Sequence, residues 1–296
     1  MADLDAAVIV ISNLSSVITP LLIGHLLNGV LYGVLTVQVY LYYVSFPGDS
    51  CRMKIVVALV YLLETTQLII ASYDAFRMFS INWGNPEGID DMGLLWLSMP
   101  VLIGMISCLS QMFYCWRIYG MSQNRLLAGT IVLFSLVPLV SGICNGVLWT
   151  HMERLSDVRA HTFKTAVTFM TLVATGEVLI TASMVFYLRK AKRSTYVKCT
   201  TSLLANLIKL TVETGFICAA AEISAIVLFI TSPDTTYYIL VGLMASKLFS
   251  NCFLAVLNSR IHIVGGRNSS ERDAEMREGV RLEPLDFCPT TWSRTS

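Results

Sequence analysis

Seven runs of apolar residues, each long enough to cross a hydrocarbon core, constrain this chain's fold more than any other feature. A crossing takes about 20 helical residues. The runs lie at 18–44, 54–79, 92–118, 126–149, 163–188, 205–231 and 237–258. Backbone groups in lipid must find partners within the chain, so a spanning segment is a helix or a strand of a closed barrel. The runs lack the short alternation of barrel strands. The sequence therefore predicts an all-α, polytopic membrane protein with a seven-transmembrane-helix bundle over 18–258. An extracellular N-terminal segment occupies 1–17, and a polar cytoplasmic tail, read as largely disordered, occupies 259–296.

Composition supports the same class. The chain is 55% hydrophobic and 14% charged, with a mean hydropathy of +0.65, where soluble domains carry about 25% charged residues. No basic, aromatic-interleaved surface points to nucleic acid. Asp3 and Asp5 stand where a signal peptide would be basic, so the N-terminus does not read as one. The eight cysteines include no CxxC pair, and the four histidines include no pair inside a span. Neither a metal hydrolase nor a nucleophile–base dyad can be assembled from these residues, and His151, Glu153, Asp157 and His161 in the fourth loop match no defined metal site and read as a solvated loop. The expectation is a non-enzyme without cofactor or metal.

Lys and Arg in the loops set the orientation. Arg52, Lys54, Arg117, Arg125, the fifth-loop cluster Arg189, Lys190, Lys192, Arg193 and Lys198, and six tail arginines put fifteen positives on one side. The other side carries only Arg154 and Arg159, with Lys164 at its edge. This predicts the N-terminus outside and the C-terminus cytoplasmic, in the plasma membrane. The fifth loop and tail are then the surface for a cytoplasmic partner, and the lipid bilayer is the constant one.

Ionisable residues inside spans are expensive, at about 2.5 kcal/mol or more near the centre, and serve as site hypotheses by default. In the second run Glu64, Gln67, Ala71 and Asp74 share one flank at helical spacing, which must face the bundle. The fifth run carries Glu177 beside a threonine face, Thr168, Thr171 and Thr175, of the kind that bonds its own backbone. The sixth run carries Lys209 and Glu213, four apart and able to pair, and Glu222 on the opposite face. The seventh run has Lys247 near its middle and Asn251 one turn on, with Asn258 on the same face. Counted from the outer ends, Lys247 lies at ~16 Å, Glu222 at ~14 Å, and Glu177 and Glu64 at ~21 to 23 Å. Depth thus selects Glu222 as the lysine's partner, with Glu177 and Glu64 as alternatives. The pair is either a structural ion pair or part of a ligand site. Pro100 and Pro138 fall inside the third and fourth runs and are expected to kink them.

Gly24, Tyr32-Gly33, Gln38, Tyr42-Tyr43, Pro47 and Asp49 open the bundle. Asn82-Trp83-Gly84 forms a short loop, and Gln111, Phe113 and Trp116-Arg117-Ile118-Tyr119 close the third run. The seventh run reads Ser246-Lys247-Leu248, Asn251 and Leu257-Asn258-Ser259-Arg260. In these residues, over roughly 20–260, the chain resembles a family of fungal, mainly basidiomycete, seven-span membrane proteins known as domain of unknown function 6534. Members often have Asp-x-x-His where this chain has Glu64 and Gln67, so a site built on that histidine does not carry over. The resemblance implies a seven-span fold and no activity.

Two functions fit these observations. The first is a receptor-like or sensor protein with a polar intramembrane site, made from Lys247, Glu222, Asn251, Glu64, Gln67 and Glu177, and an unknown small-molecule ligand. The second is a secondary transporter or channel that uses the intramembrane Glu and Lys residues, although no inverted repeat or pair of broken helices supports it. A retinal-type photoreceptor, suggested by a mid-span lysine, lacks a carboxylate counter-ion in the third run.

Overall fold

The computed structural model describes residues 2–260, except 86, 87, 89, 153, 195–197, 233 and 234. Seven long helices carry the apolar runs: α1 Ala2–Ser45, α2 Cys51–Phe76, α3 Ile103–Ser122, α4 Arg125–Trp149, α5 Leu155–Ser194, α6 Lys198–Thr231 and α7 Tyr237–Asn258. Two π-helical turns extend them, Arg77–Ile81 after α2 and Leu97–Leu102 before α3. Seven spans are therefore present, with ends within a few residues of those read from the sequence. The tail expected to be disordered lies, beyond Arg260, outside the described residues.

The helices turn their most apolar faces outward, as a bilayer solvent requires. Leu26, Val30, Leu62, Ile69, Phe186 and Phe216 are all exposed. Thr168, Thr171 and Thr175 share that outer surface, and each donates its hydroxyl to the carbonyl four residues back. That removes an unpaired donor from lipid. The third and seventh spans are the most enclosed and form the centre of the bundle.

Of the four buried apolar clusters that the described residues form around them, two lie as layers along the first and seventh helices. Met78, Leu95, Trp149, Phe229, Tyr238 and Leu243 make the layer on the side where the first span begins, called here the N-terminal side. Leu35, Tyr42, Val57, Phe113, Phe253 and Leu257 make the layer toward the opposite side.

Short connections set neighbours. Between α3 and α4, Gln123 adopts a left-handed conformation (φ 53°), and the Asn124 side chain accepts from the Leu126 and Leu127 amides. A left-handed C-cap followed by an Asn N-cap ends one helix and starts the next within two residues. The same two helices cross closely. A Cβ on Gly142 would lie 2.5 Å from the Pro100 carbonyl oxygen, and one on Gly104 would lie 3.1 Å from that of Pro138. Small residues permit this contact, as is usual in membranes. Pro100 sits inside the π-helical turn, whereas Pro138 lies within an uninterrupted α4. The expected break in the third span is thus a widened turn.

The first and seventh helices run parallel and pack along their lengths. Along α1 the contacts recur every seven residues, and along α7 every seven or eight. Thr236 donates to the Val17 carbonyl at 2.6 Å, Gly24 faces Leu240 and Leu243, Asn251 donates to the Leu31 carbonyl at 3.1 Å, and Asn258 donates to the Gln38 carbonyl at 2.9 Å. A seven-residue repeat keeps one seam facing its partner in a left-handed crossing. The three polar rungs satisfy side-chain amides and a hydroxyl that lipid could not.

Candidate functional site

Lys247 projects from the middle of α7 between the two apolar layers, and its side chain is fully buried. Its ammonium has three donors, and each finds an acceptor: the Glu64 carboxylate, the Gln67 side-chain oxygen at 2.7 Å and the Glu64 backbone carbonyl at 3.3 Å. Glu64 and Gln67 stand on the buried flank of α2 with Ala71 and Asp74, as their spacing requires. Two serines of α7 complete the cluster. Ser250 donates to the second Glu64 carboxylate oxygen, and Ser246 donates to the Gln67 oxygen at 2.6 Å. Gln67 in turn donates to the Ser98 carbonyl at 3.2 Å, within the π-helical turn before α3. Asn251, one turn beyond Lys247, donates to the Lys247 and Leu31 carbonyls and accepts from Gln38 at 3.3 Å. One charge pair therefore ties together α1, α2, α7 and the approach to α3.

The partner of Lys247 is Glu64, not Glu222. Glu222 matches Lys247 in depth only when residues are counted from the N-terminal side, where α2 with its π turn extends farther than α7 does. Counted from the other ends, Glu64 is thirteen residues from Cys51 and Lys247 eleven from Asn258, so the two lie nearly level.

Glu222 is buried elsewhere. It lies within electrostatic reach of Glu177, whose carboxylate accepts from Gln111 of α3 at 3.3 Å. Among the described residues, neither glutamate is in an ion pair. The six candidate residues thus separate into two groups: Lys247, Glu64, Gln67 and Asn251 in one, Glu177 and Glu222 in the other. Beside Glu177 is a small cavity of about 20 Å³, lined by α3, α5, α6 and α7.

Three participants escaped the reading of intramembrane charge. Ser246 and Ser250 flank Lys247 one residue before and three after, on the same helical face. Gln111, one turn before Cys115 on the buried side of α3, carried no charge to attract notice. Arg77 was also missed, because it falls at the end of a span. It pairs with Asp91 and donates to the Asp91 carbonyl at 2.7 Å. This pins the loop after α2 to the helix end.

That loop forms one wall of a larger recess. Asp91 bridges Arg154 through the backbone, and Leu155 N donates to the Asp90 carbonyl at 2.7 Å, joining the second and fourth loops. The recess is open, about 710 Å³ in volume, and lined chiefly by Asp91, Met92, Trp96, Trp149, Met152 and Arg154. Trp149 is 8% exposed, and its buried indole N–H has no hydrogen-bond acceptor among the described residues.

On the opposite side Arg260 closes α7. It donates to both Asp49 carboxylate oxygens and lies 4.3 Å over the Phe46 ring, while Tyr42 donates to Asp49 at 3.0 Å. Burial pushes the Asp49 carboxyl upward. The Arg260 hydrogen bonds and charge, the Tyr42 hydroxyl and the Lys54 charge outweigh burial and hold it below the usual carboxylate range.

Residues 173–262 match the model of a family of unknown function, DUF6534. The matched stretch contains Glu177, Glu222, Lys247 and Asn251, while Glu64 and Gln67 precede it. No curated protein and no solved structure matches the chain.

Proposed function

We propose that the protein is a receptor-like sensor that binds a small molecule in the recess on its N-terminal side. The recess itself carries the reading. Two indoles and two methionines offer an apolar, aromatic body, and such pockets with a few placed polar groups are the usual form of a ligand site. The Arg154 guanidinium favours a ligand with an anionic end, because Asp91 is already engaged by Arg77. Aryl carboxylates have this chemistry. The packed Lys247 cluster, in which every ammonium donor has an acceptor, argues against a solute path along α2 and α7.

The loop charges favour placing the N-terminus and the recess outside the cell, with the fifth loop and C-terminus cytoplasmic in the plasma membrane, where they would meet a partner. The likeness to the fungal seven-span family is taken to extend over roughly 20–260, beyond the matched stretch. The reading is non-enzymatic. The experiment is a thermal-shift and tryptophan-fluorescence titration of purified protein with benzoate, naphthoate and indole acetate. The reading predicts saturable stabilisation and quenching that Trp149→Phe and Trp96→Ala both weaken. If reconstituted vesicles instead accumulate these compounds, the transporter reading replaces it.

A further inference from the structure

Glu177 differs from Glu64 in what it lacks. Glu64 has an ammonium built into the chain, whereas Glu177 has the Gln111 amide at 3.3 Å and an acidic neighbour, Glu222, both glutamates being 6% exposed. An uncompensated carboxylate inside a membrane is costly, and two within reach of each other are costlier. The space beside Glu177 is about 20 Å³, enough for one water-sized occupant. Ser110 lines that space, is 2% exposed, and its hydroxyl has no partner among the described residues. Thr181, Thr211, Thr214 and Tyr114 add further oxygens to the lining. The site therefore has an acidic group, room for one small particle, a hydroxyl without a partner and, among the described residues, no cationic side chain paired with either glutamate.

We propose that this cavity binds one small monovalent cation, either Na⁺ or a proton taken up on the carboxylate itself, at the Glu177 carboxylate and beside the Ser110 hydroxyl between α3, α5, α6 and α7. Oxygen donors suit a hard cation. The described residues contain no group of three or more His, Cys, Asp and Glu side chains of the kind that would hold a multivalent metal. Other titratable groups face the cavity: Tyr114 from α3, Cys218 from α6 with Glu222 on the same helix, and Cys252 from α7. Arg117 of α3 lies near Tyr114. Cys218 donates to Cys252 at 3.5 Å and Cys252 donates to the Thr214 carbonyl at 3.8 Å, so both thiols have acceptors.

The test uses the purified full chain in detergent. Melting is followed in NaCl against choline chloride at constant ionic strength across a pH series. Infrared spectra of the carboxyl region are recorded in H₂O and D₂O. If Na⁺ is the occupant, Tm rises saturably by roughly 3 °C at concentrations well above Kd. The rise is smaller at acid pH, where protons compete. It disappears in Glu177→Gln, weakens in Ser110→Ala and persists in Glu213→Gln, an exposed control. If the occupant is a proton, Na⁺ has no effect, and a protonated-carboxyl band shifts in D₂O and disappears in Glu177→Gln. Should Glu177→Gln fail to fold, Ser110→Ala and the wild-type spectra decide the matter. A Na⁺ response that survives Glu177→Gln, or the absence of both a Na⁺ response and a protonated-carboxyl band, overturns the proposal.

Discussion

The two acidic centres of this bundle present the same problem with opposite solutions. Glu64 meets a covalently attached cation, and Lys247, Gln67, Ser246 and Ser250 engage both of its carboxylate oxygens and all three ammonium donors. Glu177 accepts only from a neutral amide, and beside it lie a serine hydroxyl without a partner among the described residues and a water-sized space. The first arrangement is closed and fastens helices together. The second is open and can exchange what it holds. Burial of a charged group alone therefore does not mark a site of traffic; what distinguishes the two is whether its partners are saturated.

The difference should appear first in stability. Lys247→Met strands the Glu64 carboxylate in the bundle interior and should destabilise by about 3–5 kcal/mol, the cost of removing one partner of a buried pair. Glu177→Gln leaves no charge behind and should cost less than about 1 kcal/mol, because the Gln111 contact survives as an amide pair. Denaturant unfolding in detergent measures both. Equal losses would erase the contrast between the centres.

A middle-sized effect belongs to the α1–α7 seam that carries the closed centre. Asn251→Leu removes two donors to main-chain carbonyls and the acceptor of Gln38. Interhelical hydrogen bonds in membranes average about 0.6 kcal/mol and reach about 1.7, so a loss near the upper figure is expected. Gly24→Val, which places side-chain atoms against the Leu240 backbone from a Cβ already at 3.1 Å, should cost about 1–3 kcal/mol by overpacking. Substituting both positions tests whether the seam acts as one unit, since coupled sites depart from additivity.

The smallest effect is the acid limb at the other end of α7. The folded-state carboxyl of Asp49 is held below its ordinary range, so its contribution is fully present above the unfolded value. It is lost as pH falls through the lowered folded value. Arg260 is 40% exposed and Asp49 20%, which limits the contribution through solvent screening. Asp49→Asn should flatten the acid limb of Tm against pH without changing the plateau greatly. An unchanged limb would mean that the Arg260 contact adds nothing.

The fold was legible because the bilayer allows so few solutions. Run length alone gave seven helices, and helical spacing alone put Glu64, Gln67, Ala71 and Asp74 on the buried flank. The carboxylate partner of Lys247 was not legible. Pairing depends on where each helix sits along the membrane normal, and the extra π turn after α2 shifts Glu64 relative to any count from that end. Ser110 and the role of Gln111 were hidden for another reason: an uncharged polar residue in an apolar run shows what it does only when its neighbours across the bundle are known. The arginine at position 77 shows the same limit, since its role depends on the fold of the loop that returns to it.

The most direct test of the account is a pair of double-mutant cycles on unfolding free energy, Lys247→Met with Glu64→Gln and Lys247→Met with Glu222→Gln. The geometry predicts a large coupling in the first cycle, with Glu64→Gln recovering much of the loss caused by Lys247→Met, and additivity within about 0.5 kcal/mol in the second. Additivity with Glu64, or strong coupling with Glu222, would contradict it.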